Sequence, residues 1–458
     1  MRTMTAERMS TRVSTSRSAA RRGIFAWVSW DCGSAAYNTT VTSFVFTVYL
    51  TSGSLGQPSV VESSIAWCLT AAGLIVAVLA PLVGNITDSF GRPVVWLGIQ
   101  TALVVVLMTL MVLVQPHEAY LWFGLLLLAA SNVAFSLAGV TYNALLPGLT
   151  TSRDIGRVSG LGMGMGFVGG VAVLLLALCL VTTPAIELLG IGSGDDLRVR
   201  VVPVAAAVWF ASFAAPLFLL RSQVSQRANN ARRQYTPKAI LSTYAGIARR
   251  VAALWRYQRA TALFLLASAV YRDGLAGIYT FGGILAAAGY GLSASDVIVF
   301  AIVSNVVAAV STMAVGRLDT RTGGSSLILV CLVALLCACT VLFVLHGTGP
   351  LIFWIAGLTM AALVGPVESA SRSFLGRRIP IGQEGEMFGL YATTGRAAGF
   401  FCPAAFAVST LMGGTIYFGI LGIATVLALG LGMFVVTLIW TRNTVGVVEA
   451  AGSDEAPR

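Results

Sequence analysis

The sequence predicts an all-α polytopic membrane protein with twelve transmembrane helices arranged as two six-helix repeats. The first observation is composition: 57% of the 458 residues are hydrophobic and only 10% are charged, whereas roughly 25% are charged in an average soluble domain. The second is that apolar runs long enough to cross a bilayer recur from Ile24 to Trp440. About 20 apolar residues in a helix cross the roughly 30 Å hydrocarbon core. A soluble globular fold is therefore not expected, and the lipid bilayer is the expected surrounding.

The apolar runs form two groups of six, separated by a long basic stretch. The predicted spans are 24–50, 63–83, 94–114, 119–145, 158–182, 201–220, 261–285, 295–315, 325–346, 350–371, 387–409 and 414–440. The predicted organisation is a basic cytoplasmic tail 1–22, a six-helix bundle 23–220, a basic cytoplasmic linker 221–259, a second six-helix bundle 260–440 and a cytoplasmic tail 441–458. The Arg- and Ser-rich first tail also superficially fits an organellar transit peptide, and we interpret it as an uncleaved tail.

The net charge of +11 follows a topological pattern. Basic residues concentrate in the first tail, in the linker and in alternate short connections, whereas only Arg198 and Arg200 fall in the opposite set. Because cytoplasmic loops carry an excess of Lys and Arg, both chain ends are predicted to be cytoplasmic in a protein of the cell membrane. The basic excess is explained in this way, so no nucleic-acid partner is expected.

An internal repeat relates the two bundles. Asp31 is followed six residues later by Tyr37 in the first span, and Asp273 is followed six residues later by Tyr279 in the seventh. The fifth and eleventh spans share a glycine spacing, and the second and eighth open with a capping-box pattern. The matched residues are Gly160, Gly166 and Gly170 with Gly389, Gly395 and Gly399, and Ser59 and Glu62 with Ser293 and Asp296. Two parallel six-helix repeats describe the architecture of major facilitator transporters.

Between the bundles, apolar residues recur at spacings of three and four from Ile240 to Trp255, with basic residues elsewhere around the helix. This pattern predicts an amphipathic helix lying on the inner leaflet. A solvated linker with some helical content is the alternative.

Several motifs carry a resemblance to a known family. The first span reads W-x-x-x-D and then A-Y-N at 27–38, and the seventh carries Y-x-D-G at 271–274. Further motifs are Y-N-A-L-L-P at 142–147, R-V-S-G at 157–160, S-R-S at 371–373, I-P at 379–380 and F-G-L-Y at 388–391. Over nearly all of 24–440 the chain resembles the vacuole effluxer-like branch of the major facilitator superfamily, which includes autophagy-related vacuolar amino-acid effluxers and bacterial relatives. Glu368 and Arg396 stand where that family is expected to have Gln and Lys.

A superfamily loop motif, G-x-x-x-D-x-x-G-R, follows the second span as Gly84, Asp88, Gly91 and Arg92. Glycines allow close helix approach, and a carboxylate can meet the positive N-terminus of a neighbouring helix. The resemblance implies a conformational latch, and a merely structural turn is the alternative. The second copy, around Gly316, Arg317 and Asp319, is degenerate.

Ionisable residues inside membrane spans are costly and indicate function by default. Five qualify: Asp31, Arg272, Asp273, Glu368 and Arg396. Polar neighbours share their helical faces or lie on the fourth span, and we expect them to line a central cavity. These neighbours are Ser34, Tyr37 and Asn38 in the first span, Asn132, Ser136, Gly139 and Asn143 in the fourth, and Tyr279 and Thr280 in the seventh. The fourth-span stripe could instead hold helices together.

Two of these residues suggest specific roles. A carboxylate in a low-dielectric environment can exchange a proton near neutral pH, which makes Asp31 the first candidate for proton coupling. Asp31 could instead pair with Arg396 or cap a broken backbone. The planar fork of Arg396 suits a substrate carboxylate, and a buried counter-ion for Glu368 or Asp31 is the alternative. Glu368 and Arg372 are spaced for a local helical ion pair.

Other classes of protein are disfavoured by missing groups. An ATP-driven pump needs G-K-[ST], yet the only lysine in the chain is Lys238. The G-x-G-x-x-G at 164–169 lies within an apolar span and indicates helix packing rather than nucleotide binding. The two histidines and seven cysteines form no motif for a metal site, a disulfide framework or a catalytic triad. We therefore predict no enzyme activity, no metal and no cofactor.

The sequence thus predicts a secondary transporter that works by alternating access. The resemblance implies efflux of amino acids or similar small solutes, driven by a proton gradient or by the solute's own gradient. The expected partners are a small-molecule substrate and protons, with no obligate protein partner. A drug or sugar transporter of the same superfamily is one alternative, and a solute-sensing scaffold that binds ligand without moving it is another.

Overall fold

A computed structural model of the chain describes residues 21–51, 55–56, 58–90, 92–182, 195–220, 252, 254–256 and 258–454. The described residues form helices and short connections without a β-strand. The predicted all-α fold is therefore confirmed. The predicted amphipathic helix of the linker lies almost wholly outside the described residues.

The described residues of the first half form the six helices expected from its apolar runs. Helix α1 comprises residues 21–37, a π-helical segment Asn38–Phe44 and a last turn Phe46–Leu50. The others are α2 (Pro58–Phe90), α3 (Pro93–Leu110), α4 (Leu121–Leu149), α5 (Ile155–Thr182) and α6 (Asp195–Leu219). Pro93 stands in the first turn of α3, where a missing N–H leaves no intrahelical bond unmade.

The second half contains seven helices because one predicted span is divided. Helix α7 (Arg259–Ile284) continues into a π-helical segment Leu285–Gly289. The others are α8 (Ala294–Thr322), α9 (Gly324–Val344), α10 (Pro350–Gly376), α11 (Glu384–Ala398), α12 (Phe401–Gly413) and α13 (Phe418–Asp454). The capping box predicted at the start of α8 is present, since Ser293 and Asp296 bond each other's backbone N–H. The side chains of its predicted counterpart, Ser59 and Glu62, lie outside the described set.

The predicted span 387–409 is not a single helix. It breaks at Gly399 and Phe400, between α11 and α12. Pro403 explains the break, because it has no N–H for the carbonyl of Gly399 and its ring would clash with that carbonyl in a continuous helix. Ten helices in the described part of the chain are long and apolar enough to cross a membrane. The first and eleventh predicted spans are not among them, since each is interrupted.

The two halves repeat the same helix packing. In the first half α2 and α3 pack on α4, α3 packs on α6, and α5 packs on α6. In the second half α8 and α9 pack on α10, α9 packs on α13, and α12 packs on α13. Corresponding helices therefore make corresponding contacts, which confirms the two six-helix repeats of the predicted fold.

The described contacts divide the chain into two compact units. The first unit is Met1–Tyr235 together with Ile379–Gly389, and the second is Thr236–Arg378 together with Leu390–Arg458. The loop before α11 and the first turns of α11 therefore belong to the first unit, although they follow α10 in sequence. The first unit has an aromatic core in which Tyr142 lies between Trp27 and Trp30, with ring centroids 4.4 and 4.3 Å apart.

Gly430 provides a test of the close packing of α13 on α7. A Cβ at Gly430 would lie 2.6 Å from the Cβ and 2.7 Å from the backbone nitrogen of Tyr271, whereas a Cβ at Gly432 meets nothing within 4 Å. Overpacking of a tight core costs about 1–3 kcal/mol. We expect Gly430→Ala to lower the thermal unfolding midpoint of the purified protein by several degrees. Gly432→Ala is the matched control on the same helix, and equal midpoints for the two variants would contradict the packing.

Candidate functional site

Asp31 lies on α1 beside a glycine of α5. Its carboxyl carbon is 3.7 Å from the position that a Cβ would take at Gly166. Ser34 is buried one turn further on, and its hydroxyl donates to the main-chain oxygen of Asp31 at 2.9 Å and lies 3.4 Å from Oδ1. The predicted pair Asp31 and Ser34 is therefore brought together, next to a helix that runs past it without a break.

Glycines of α5 bring that helix close to α1. A Cβ at Gly169 would overlap the main-chain oxygen of Cys32, and a Cβ at Gly162 would lie 2.5 Å from the ring of Trp27. Small residues allow helices to approach closely in membranes. The G-x-G-x-x-G at 164–169 therefore lies in a helix that packs through glycines, and this packing sets the distance between Asp31 and α5.

Aromatic side chains fix α1 on its other side. The indole of Trp27 donates to the main-chain oxygen of Tyr142 at 3.0 Å, and the indole of Trp30 donates to the hydroxyl of Thr101 at 3.0 Å. All of these side chains are buried. The W-x-x-x-D and Y-N-A-L-L-P motifs meet at this stack, so they hold the helix that carries Asp31.

Tyr37 and Asn38 have different surroundings. Tyr37 is fully buried, with its hydroxyl 3.1 Å from that of Ser131 and its ring stacked on Phe135 at 4.4 Å. It packs α1 on α4. Asn38 is exposed at the start of the π-helical segment.

The polar stripe on α4 borders open space. Asn132, Ser136, Gly139 and Asn143 are all half-buried. Among the described residues, nothing comes within 4 Å of the place of a Cβ at Gly139, and Asn132 Oδ1 has no hydrogen-bond partner. The stripe therefore combines free space at Gly139 with a buried amide oxygen at Asn132.

Asp88 binds the N-terminus of α11 within the first unit. Its Oδ1 accepts from the N–H of Gly385 at 2.7 Å and its Oδ2 accepts from the N–H of Glu386 at 2.9 Å. A Cβ at Gly84 would overlap the backbone of Gly385, so the two helices touch through backbone atoms. A carboxylate at the positive end of a helix dipole is stabilising. Arg92 is exposed, and Gly91 lies outside the described residues.

Asp273, the repeat equivalent of Asp31, has different surroundings. It is 7% exposed, and its Oδ2 accepts from the N–H of Cys402 at 2.6 Å. The N–H of Phe401 also bonds the carboxylate. Asp273 therefore supplies acceptors to the first N–H groups of α12, which the break in the helix leaves without intrahelical partners.

Charged and phenolic side chains gather beside α7 in the second unit. The guanidinium of Arg272 lies 4.0 Å from the ring centroid of Tyr391 and donates to its main-chain oxygen at 3.3 Å. Glu368 on α10 lies near Tyr271 and Tyr279 of α7 and near Tyr391 of α11.

The remaining predicted residues of the second unit are exposed. Tyr279 is 47% exposed, and Thr280 is exposed with its hydroxyl bonded to the main-chain oxygen of Ala276 at 3.0 Å. Arg396 is exposed in the last turn of α11, before the break. Among the described residues, no group of three or more His, Cys, Asp or Glu side chains is arranged to hold a metal ion.

A family model described as "Vacuole effluxer Atg22 like" matches residues 150–442. The chain belongs to this family. Membership agrees with the resemblance inferred from the motifs, and it makes the protein a transporter of the major facilitator superfamily rather than an enzyme. It is accordingly a multi-pass integral membrane protein.

Two relatives illustrate the family. YxiO of Bacillus subtilis, described as an uncharacterized MFS-type transporter, is 26% identical over 395 residues, which cover 85% of this chain and 88% of YxiO. Autophagy-related protein 22 of Cryptococcus neoformans is 28% identical over 291 residues, 60% of this chain and 50% of that protein. The match to the fungal protein therefore spans only half of its length.

Solved structures of major facilitator transporters share the fold. The proton:xylose symporter XylE matches 92% of this chain and 95% of its own with a TM-score of 0.69 at 12% identity. A bacterial homologue of the iron transporter ferroportin, in an outward-facing state, matches 93% and 99% with a TM-score of 0.66 at 16% identity. At these identities the likeness concerns the fold alone.

An ion pair in this Atg22-like protein was missed from the sequence. Asp319 on α8 is 1% exposed and binds both terminal nitrogens of Arg377 at 3.1 and 3.0 Å, and the hydroxyl of Ser373 at 2.6 Å. Gly323, with φ of 76°, makes the tight turn from α8 to α9 beside it. The degenerate second loop motif therefore contains a carboxylate that ties α8 to the end of α10. The sequence signal was an acid in the last turn before a Gly-Gly turn.

The pair should contribute strongly to stability. Removal of one partner from a buried ion pair costs about 3–5 kcal/mol, and because Arg377 is 19% exposed we expect the low end of this range for Asp319→Asn. The measurement is the unfolding free energy from SDS titration of the purified protein. Arg321→Gln, which changes an exposed charge on the same helix, is the control and should lose far less. A loss of equal size in both variants would contradict the role of the pair.

Proposed function

We propose that the protein exports amino acids or amino-acid-like solutes across the cell membrane by alternating access, with both termini cytoplasmic. The driving force is a proton gradient or the gradient of the solute itself. Family membership supports efflux, because the description of the family names a vacuole effluxer. The candidate residues of each unit are considered within that unit.

One observation carries the proposed coupling role of Asp31. The carboxylates of Asp31 and Asp273 are repeat equivalents, yet Asp273 is bonded to the N–H groups of a broken helix whereas Asp31 lies against Gly166 in a continuous one. A carboxylate that caps a helix stabilises the fold. The carboxylate that lies beside a glycine of a continuous helix is better placed to exchange protons or to bind an ammonium group.

We propose that Arg396 of the second unit binds the carboxylate of the substrate. It is exposed within a predicted membrane span, in the last turn of α11. Guanidinium groups bind carboxylates through two parallel hydrogen bonds. Tyr279, Thr280 and Glu368, on α7 and α10 of the same unit, are proposed to contribute polar contacts.

The latch implied by the resemblance is also part of the proposal. Asp88 and Gly84 contact the first turn of α11, and Gly91 and Arg92 complete the motif. We propose that this contact is made in one transport state and broken in the other.

The proposed substrate class is tested by counterflow in proteoliposomes with labelled neutral, basic and acidic amino acids. Accumulation of at least one of them is expected. Absence of exchange across the whole panel, with exchange of a sugar or drug instead, would favour the other transporters of the superfamily. Ligand binding without exchange would favour a solute sensor.

Asp31→Asn should abolish proton-coupled transport without abolishing substrate exchange. The amide keeps the shape and hydrogen-bonding capacity of the side chain but cannot carry a proton between states. We expect loss of pH-driven flux with retained counterflow. Asp154→Asn, which changes an exposed acid in the first unit, is the control and should leave both unchanged. Undiminished pH dependence in Asp31→Asn would exclude Asp31 as the coupling group.

Arg396→Gln should weaken the binding of substrates that carry a free carboxylate. Loss of charge-assisted hydrogen bonds lowers affinity about tenfold to a hundredfold. Competition of amino acids and of the matching amides against labelled substrate measures the difference. We expect the acids to lose far more affinity than the amides, and Arg396→Lys to retain part of it. Equal losses for acids and amides would indicate a structural counter-ion.

A further inference from the structure

The break between α11 and α12 brings two helix ends together inside a membrane span. The last carbonyls of α11 and the first N–H groups of α12 lack partners within their own helices. These ends also carry opposite partial charges, negative at the end of α11 and positive at the start of α12. A cation beside the end of α11 and an anion beside the start of α12 are therefore favourable.

Asp273 provides the anion at the start of α12. Its bonds to the N–H groups of Phe401 and Cys402 place a negative charge at the positive helix end. The bond to Cys402 is short, at 2.6 Å, as expected for a charge-assisted hydrogen bond in a buried place.

Arg272, which precedes Asp273 on α7, places a cation beside the last two turns of α11. Its Nη1 lies 3.1 Å from the position of a Cβ at Gly395, which is in the last turn of α11, and it donates to the main-chain oxygen of Tyr391 at 3.3 Å. The guanidinium also covers the ring of Tyr391 at 4.0 Å. Adjacent residues on a helix point about 100° apart, so Arg272 and Asp273 can serve the two sides of the break.

The same face of α7 continues along α12. A Cβ at Gly277 would overlap the thiol of Cys402, so the glycine makes room for that side chain. One turn further, Phe281 stacks on Phe406 with ring centroids 4.0 Å apart and planes 6° apart. Asp273, Gly277 and Phe281 are spaced four residues apart, so they lie on one face of α7, and α12 packs against this face.

We propose that Arg272 and Asp273 are positioning residues for transport, which hold the break between α11 and α12 in one bent geometry by complementing the charges of the two helix ends. Arg396 lies in the last turn of α11, next to this break, so the proposal makes its position depend on the two residues. The consequence for transport rests on the proposed function, whereas the geometry of the break can be tested without any substrate.

Cys402 is a native reporter of this geometry. It is fully buried at the start of α12, and Cys331 on α9 is a buried cysteine away from the break. The experiment measures the rate of N-ethylmaleimide modification of each cysteine by peptide mass spectrometry in the purified protein. We expect Asp273→Asn to raise the rate at Cys402 about tenfold, because the amide loses the charge that holds the N–H groups, and to leave Cys331 unchanged.

Several variants serve as controls and as backup. Asp296→Asn changes the capping carboxylate of α8 in the same unit and should not alter Cys402. Arg272→Gln should raise the rate at Cys402 as well, and Asp273→Glu should keep it nearer to wild type. Unchanged labelling of Cys402 in both Asp273→Asn and Arg272→Gln would overturn the proposal. A parallel rise at Cys331 would also overturn it, because general loosening of the protein would then explain the result.

A transport readout separates positioning from substrate binding. Asp273→Asn should lower the maximum counterflow rate while the half-saturation concentration stays the same, because the bend and not the substrate contact is changed. A raised half-saturation concentration at an unchanged maximum rate would assign Asp273 to substrate binding instead. If the wild-type protein moves no tested solute, the proposed function fails, and the Cys402 result still decides whether the break is held as described.

Discussion

Hydrocarbon offers the backbone no hydrogen-bond partner, and this constraint decides where the chain can leave the helix. An unpaired N–H or C=O in the bilayer core costs several kcal/mol, so irregular backbone is tolerated only where protein groups replace the missing bonds. Asp273 does this at the break before α12, and outside the spans Asp88 caps the first N–H groups of α11 in the same way. These carboxylates are required by the fold before they can serve transport.

Close backbone contact is the second consequence of the bilayer. Lipid tails are as apolar as leucine, so helices in a membrane gain little by burying apolar side chains and associate through tight packing and polar contacts. Gly169 against Cys32, Gly84 against Gly385 and Gly430 against Tyr271 are contacts that a single methyl group would disrupt. In each unit the glycines thus set the spacing at which carboxylates and N–H groups can meet.

The sequence predicts the helices and their repeat well because both depend on local patterns: apolar runs of bilayer length and motifs at matching positions. It misses features that depend on tertiary contacts. Average hydropathy over the span 387–409 gives no sign of a break at Pro403, because hydropathy does not register the missing backbone N–H of proline. Asp319 and Arg377 are 58 positions apart, and only the packing of α8 on α10 pairs them. Helical spacing puts Tyr37 on a face but does not reveal that Ser131 and Phe135 cover it.

The duplicated fold explains why two equivalent carboxylates can have different tasks. In each half the first helix carries an acid and packs near a helix that contains the repeated glycines. Gly166 of α5 lies beside Asp31, and Gly395 of α11 lies beside Arg272, the neighbour of Asp273. A proline on the second glycine helix breaks it, and the exposed N–H groups then bind the nearest carboxylate, Asp273. The first glycine helix has no such break, so Asp31 has no helix end to cap. Asp31 and Asp273 therefore hold equivalent positions in the repeat but have different backbone surroundings.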